Sequence, residues 1–209
     1  MTTKNKLLII GAGGHGKVVA DIALKMKRWK EVSFLDNKSN IEPFMNCHVI
    51  DKSSEAIRYI KDYDIIVAVG NNAVREKILT SLENEGASIP VLIHPRAVIG
   101  EQVEIGNGTV VMAGVVINCS TRIGRGCIIN TSSSIDHDNK VEDYVHISPG
   151  VHLAGTVEIG KKSWIGIGAT ISNNINVAEN CVVGAGAVVV ANIVEGGTYI
   201  GVPIRKLRQ

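Results

Sequence analysis

From Ala97 to Asn192 the chain repeats an aliphatic residue every six positions. Ile99, Ile105, Val111, Ile117, Ile123, Ile129, Ile135, Val141, Ile147, Leu153, Ile159, Ile165, Ile171, Val177, Val183 and Val189 keep one phase through sixteen blocks. The residue two before each is mostly small or β-branched, as at Ala97, Val103, Thr109, Val115, Thr121, Cys127 and Ser133. Side chains two apart on an extended segment share a face, so both rows turn inward. Glycine often follows the aliphatic residue, as in Ile105-Gly106, Ile123-Gly124 and Ile159-Gly160. We read those glycines as the points where the chain bends tightly. A strict hexapeptide period predicts a parallel β-helix. Three blocks make one triangular turn, and turns stack at the strand spacing of about 4.8 Å. The run supplies slightly more than five turns. Thr198 to Lys206 leaves the period and is expected to cap the last one, whose sheet edge would otherwise be open.

The pattern before Ala97 is different. Lys6 to Ile10 reads as a short buried strand, and Val18 to Lys27 carries apolar residues at helical spacing. Glu31 to Leu35 and Asp64 to Gly70 read as further strands, Glu55 to Lys61 and Asn71 to Glu85 as helices, the last ended by Gly86. Strands alternating with helices imply a small parallel sheet with right-handed crossovers. Three or four strands fit, at most half of a dinucleotide-binding fold. Pro90 to Pro95 (PVLIHP) breaks the helical pattern and reads as the join between domains.

Composition narrows the partners. The net charge of +2, with no basic run or aromatic-interleaved patch, argues against nucleic acid. No stretch reaches the length of a membrane span, and the N-terminal apolar run is too short for a signal peptide. Cys47, Cys119, Cys127 and Cys181 form no CxxC pair, and two of them open hexapeptide blocks, so reduced cysteines are expected. These features point to a cytoplasmic protein.

Two clusters carry candidate chemistry. Gly11-Ala12-Gly13-Gly14-His15-Gly16 has the spacing G-x-G-x-x-G, with Asp36 about twenty positions on. Backbone N–H groups at a helix N-terminus hold a pyrophosphate, and such an acid accepts from a ribose hydroxyl. Taken alone, this suggests NAD. Against NAD stand the missing second half, His15 inside the turn, where it could donate to a phosphate, and a neighbouring domain with no use for hydride. A nucleotide-linked sugar satisfies the same physics, and a ligand-free turn is the plain alternative. Gly70-Asn71-Asn72 follows a strand, so Gly11 to Gly16, Asp36-Asn37 and Gly70 to Asn72 are expected along one rim.

The second cluster is Asp136-His137-Asp138, which the phase of Ile135 puts at an outer corner. A carboxylate beside an imidazole orients it and stabilises its protonated form, as a general base requires. Gly155, eighteen positions on, lies one turn along the same corner, where its N–H could meet a reacting oxygen. A solvated polar corner is the simple alternative. His146 and His152 are six apart and fall on adjacent faces, so they cannot share a metal within one subunit.

The pairing of GAGGHGKVVADIA with NTSSSIDHD, VEDYVHISPGVHLAGTV and YIGVPIRKL resembles the sugar acetyltransferases of the bacterial PglD/NeuD type over nearly the whole chain. The resemblance implies an α/β Rossmann-like nucleotide-sugar half-domain over 1–90. It implies an all-β left-handed parallel β-helix with a C-terminal cap over 91–209, and a homotrimer. It implies acetyl transfer from acetyl-CoA to the 4-amino group of a nucleotide-linked 4-amino-4,6-dideoxy sugar, with no metal, in surface glycan biosynthesis. On that pattern His137 is the base, Asp138 the acid that raises its basicity, and Gly155 the donor to the thioester oxygen. Asn130 lies near the sugar amine, and His146, Ile167 and Ala185 line the acetyl-CoA groove. Gly13, Gly14, His15, Asp36, Asn37 and Gly70 contact the nucleotide sugar; Gly13 stands where some relatives have Ser, which removes a hydroxyl contact to phosphate. The rival readings are O-acetylation of sialic acid or a related sugar, a hexapeptide scaffold, a zinc hydratase using His137, His146 and His152 between subunits, and an NAD-dependent oxidoreductase.

Overall fold

A computed structural model describes residues 4–38 and 42–207. They divide into two compact units, with the boundary between Pro95 and Arg96. The division falls five residues beyond the expected boundary at 90, because Leu92–Ile93 packs against the first helix of the N-terminal unit.

The N-terminal unit contains β1 (Lys6–Ile10), α1 (Gly14–Met26), β2 (Glu31–Leu35), β3 (Val49–Asp51), β4 (Asp64–Val67) and α2 (Asn72–Asn84). The four strands pair in parallel in the order β3-β2-β1-β4. Leu7 to Ile10 and Ile65 to Val67 are each at most 1% exposed, as continuous apolar runs in a sheet covered on both faces must be. The order reverses between β1 and β4, so a crevice opens beyond the carboxyl ends of those strands. Three details differ from the sequence expectation. β3 was not anticipated, being only three residues long and partly exposed. The segment expected to be helical from Glu55 is a 3-10 helix over Ser53–Tyr59. α1 begins at Gly14 inside the glycine motif, capped by Gly13, four residues earlier than its apolar spacing suggested.

The C-terminal unit is the expected parallel β-helix. Its strands are mostly two residues long, as in Ile128–Ile129 and His146–Ile147, and each pairs with the strand eighteen residues on. The aliphatic row from Val111 to Val189 is at most 3% exposed, while Ile99 and Ile105 in the first turn are half-buried. Gly197–Ile200 pairs with Cys181–Val183 and is itself covered by Arg205–Lys206.

Bends and glycines divide the work differently from the first reading. The bend lies three residues after the strand end of each block, where a positive φ recurs every six residues from Gln102 to Gly186. The glycine directly after the aliphatic residue has another cause. A Cβ at Gly106, Gly124 or Gly160 would stand 2.5–2.7 Å from backbone or side-chain atoms of the next turn. Close stacking, not bending, excludes side chains there.

Inside, polar block-opening residues stitch turns together. Thr109 Oγ1 donates to Gly124 O at 2.7 Å and Ser163 Oγ to Ala178 O at 2.9 Å, each fifteen positions on. Cys127 and Cys181 occupy equivalent places, and their buried thiols approach Glu142 O and Glu195 O. Buried carbonyls need such partners.

Stacking and bending make separable predictions. Gly160→Ala sets a Cβ against the Glu179 backbone and is expected to cost about 1–3 kcal/mol. Gly150→Ala has open space but keeps φ at +64°, so it should cost about 1 kcal/mol. Urea unfolding of the two variants checks the order.

Candidate active site

Residues of the catalytic candidate meet on one corner. The turn at Asp136–Asn139 projects His137 and Asp138 outward, Asp138 in the left-handed region at φ +58° that Asp tolerates well. His137 Nδ1 lies 2.8 Å from Asp138 Oδ2. A carboxylate only accepts, so Nδ1 carries the shared proton and Nε2 is left as the basic nitrogen. The Asp138 hydrogen bond, aided by the charge of Asp136, raises the His137 pKa above 6.5. Asp136 does not touch the ring. Its Oδ1 accepts from Asn118 Nδ2 at 2.8 Å and from the His137 N–H at 3.0 Å; these bonds, Asn118 first, lower its pKa.

Gly155 lies directly beneath the imidazole. A Cβ built there would be 2.6 Å from His137 Cε1 and 2.7 Å from Nε2. Glycine at 155 is therefore a condition for the ring to occupy this place. The Gly155 N–H has no acceptor among the described residues, while Thr156 N–H on its far side bonds His137 O at 3.0 Å.

His146, Ile167 and Ala185 line one groove of about 400 Å³, with Ser148, Trp164 and Val182. His146 stacks on Trp164 at 5.5 Å between ring centroids and 6° between planes. The Trp164 indole donates to Ser148 Oγ at 2.8 Å, which fixes the aromatic wall. Trp164 is eighteen positions after His146, so the step that linked His137 to Gly155 would have found it. Asn130 belongs to this neighbourhood: its Nδ2 is 3.2 Å from His146 Nε2. Asn130 and the groove thus sit around a different corner from His137. His152 lies on the face between, with Nδ1 2.8 Å from Ser134 Oγ.

In the N-terminal unit Gly13, Gly14 and Asp36 line a pocket of about 240 Å³ with Ala12, Lys17 and Lys38. Gly11 and Gly16 are explained by the fold: a Cβ would meet Ala68 O at 2.9 Å or Gly11 O at 1.9 Å. Gly13, Gly14 and Gly70 have no atom within 4 Å of an added Cβ and no positive φ, so nothing within the chain requires glycine there. Asp36 braces the loop, accepting from the Ala12 N–H at 2.8 Å and the Lys38 N–H at 2.9 Å. Asn37 Oδ1 accepts from the Ser53 N–H at 3.2 Å.

His15, which the sequence offered as a donor to a phosphate, is half-buried. Its Nε2 is buried without a hydrogen-bond partner among the described residues. Burial, with the charge of Arg75, lowers its pKa to about 4, so it is neutral near pH 7. Arg75, which the sequence reading missed, is fully buried and donates to Val69 O, Gly70 O and Asn72 Oδ1 at 2.7–3.1 Å. It holds the loop after β4. A lone arginine on a helix gives no sequence signal for that role.

A Rossmann-like sheet unit and a parallel β-helix, with a His–Asp pair on one corner and an apolar groove on another, define a two-domain protein of the hexapeptide-repeat class. Residues 6–82 match the family model of the PglD N-terminal domain. The chain is similar to the acetyltransferase domain of PglB from Neisseria gonorrhoeae FA1090, with 40% identity and a TM-score of 0.94, over 98% of this chain and 100% of that one. It is similar to PerB from Caulobacter crescentus, solved in complex with CoA and GDP-perosamine, with 31% identity and a TM-score of 0.91 over 97% of each chain. GDP-perosamine N-acetyltransferase of Escherichia coli O157:H7 is 32% identical over 117 residues, 56% of this chain and 52% of that protein. The chain spans about half the length of the curated relatives it matches. It belongs to the PglD-type sugar acetyltransferases.

The His137–Asp138 pair fixes a pH response. Followed by NMR, the imidazole should titrate above 6.5 in the wild type, and Asp138→Asn should move it down because the largest raising contribution is gone. Gly155→Ala should displace the ring and lower turnover by about 10²-fold, with binding to the distant groove retained.

Proposed function

We propose that the protein transfers an acetyl group from acetyl-CoA to the 4-amino group of a nucleotide-linked 4-amino-4,6-dideoxy sugar. The observation that carries this reading is the His137 ring, paired with Asp138 on one side and seated over Gly155 on the other. His137 Nε2 accepts a proton as the sugar amine attacks the thioester carbonyl. Asp138 stabilises the resulting imidazolium, and the Gly155 N–H donates to the tetrahedral oxyanion. Collapse expels the CoA thiolate, to which His137 returns the proton. Acetyl-CoA supplies the activated acetyl group. The apolar groove at Trp164, Ile167 and Val182, with Ala185, suits its pantetheine arm.

The nucleotide sugar docks at the Gly13–Gly14 rim. The first-turn N–H groups of α1 and Lys17 and Lys38 offer the positive field that a diphosphate needs. Gly70 leaves room beside it for the sugar.

The working unit is a homotrimer. Within one chain the base and the groove lie around different corners, separated by the face that carries Ser134 and His152. A neighbouring copy can bring its groove and Asn130 to each His137, and three copies close the arrangement. Charge distribution supports the same packing. One face presents Glu104, Arg122, Lys140 and Glu158 in register and favours water; the other two present neutral and aromatic side chains. No helix among the described residues is long and apolar enough to cross a membrane. We place the reaction in the cytoplasm, where both substrates are made.

His137→Ala should lower kcat by about 10²-fold or more while sugar and acetyl-CoA binding persist. The assay is CoA release with UDP-, dTDP- and GDP-linked 4-amino sugars, with free and CMP-linked sialic acid as comparators. Near-normal turnover in His137→Ala, or preference for sialic acid, would sink the reading.

A further inference from the structure

We propose that Asn139 is a positioning residue that sets the separation of His137 from Gly155; the role rests on the reading of His137 as the base. Asn139 is the one amide among the block-opening residues from Ala97 to Ala187. It is 1% exposed, in a row otherwise made of Ala, Val, Ile, Thr, Ser and Cys. A buried carboxamide there needs a partner for every polar atom, and it has them. Nδ2 donates to Asp136 O at 2.7 Å, Ala154 O at 3.0 Å and His137 O at 3.2 Å. Oδ1 accepts from the Val157 N–H at 3.1 Å. Its own N–H reaches Thr121 Oγ1 at 3.3 Å, and that hydroxyl donates to Asp136 O at 2.8 Å.

These partners are the two peptides that carry the His137 corner and the two residues, Ala154 and Val157, that bracket Gly155 and Thr156. Thr109 and Ser163 tie their turns through a carbonyl fifteen positions on. Asn139 makes that same tie and in addition holds the carbonyls of its own corner. The need is geometric, because the His137 ring already occupies the space a methyl group at 155 would fill. A displacement of about 1 Å between reacting groups can cost up to 10²-fold in rate. One side chain that grips both corners is the simplest device for holding them in place.

The test compares Asn139→Ala with Thr109→Val, which removes a stitch of the same kind away from the corner. Both should lower the thermal midpoint. Asn139→Ala should also lower kcat about tenfold, leave acetyl-CoA affinity by calorimetry unchanged, and move the acidic limb of the pH–rate profile toward the ordinary imidazole value. Thr109→Val should keep kcat within about twofold. If Asn139→Ala does not fold, Asn139→Thr carries the test, since Thr fills the equivalent place at 109 and 121; it keeps the inter-turn tie and should still reduce kcat. Wild-type kcat in the folded Asn139 variant, or an equal loss in Thr109→Val, overturns the proposal. A fully active His137→Ala would instead remove the base reading, so the two failures are distinguishable.

Discussion

Contact between successive turns at the strand spacing is the constraint on which the C-terminal unit depends. Every residue has a neighbour eighteen positions away, close enough that side chains there compete for one space. Where both are aliphatic they build the core, and where one is glycine the other can lie flat over it. Gly124 makes room for Asp143 and Gly160 for the Ala178–Glu179 backbone one turn on, and Gly155 makes room for the His137 ring eighteen positions before it. Two of these cases are packing and one places an imidazole, by the same mechanism. The candidate catalytic geometry is therefore the fold's stacking rule applied at one exposed corner.

Electrostatics at that corner are local because the corner is in water. His137 and Asp138 are both more than half exposed, and surface ion pairs of this kind contribute little to stability. Their value lies in orientation: the Asp138 hydrogen bond selects the tautomer that leaves Nε2 basic. Asp136 looks equivalent in sequence but is spent on Asn118 and on the His137 N–H. One flanking carboxylate tunes the ring while the other anchors its backbone. An assembly that covered this corner would strip water from the pair and strengthen both effects.

Legibility followed periodicity. The β-helix is legible because its phase never slips, and that phase alone puts His137 and Gly155 on one corner. The same step applied to His146 reaches Trp164. What was lost had no period. β3 is three residues of half-exposed strand, and α1 starts at glycines that carry no amphipathic signal. The glycines after the aliphatic row were visible but misassigned, since sequence cannot separate a bend from a close approach. His15 shows a related limit: position within a motif does not say how deeply its ring is buried. Arg75 is the extreme case, a fully buried cation whose partners include the backbone carbonyls of Val69 and Gly70.

Glycines in the N-terminal unit sort by whether the chain itself demands them, and the sorting bears on function. Gly11 and Gly16 are needed to bring β4 and α1 close to the first turn, so any protein with this packing would need them. Gly13, Gly14 and Gly70 answer to nothing inside the chain. Glycine costs about 0.5–1 kcal/mol of conformational entropy relative to alanine in ordered structure, a cost that packing does not repay at these three positions. The backbone at these three positions is therefore left bare. The three border the carboxyl ends of β1 and β4, where the strand order reverses, and the adjoining first turn of α1 presents N–H groups with the Lys17 side chain beside them. Bare backbone N–H groups at a helix N-terminus suit an anion, which agrees with the proposal that the diphosphate of a nucleotide sugar docks there. On the proposed reading glycine has two different uses: at the rim to leave backbone open to a ligand, and at the corner to seat an imidazole.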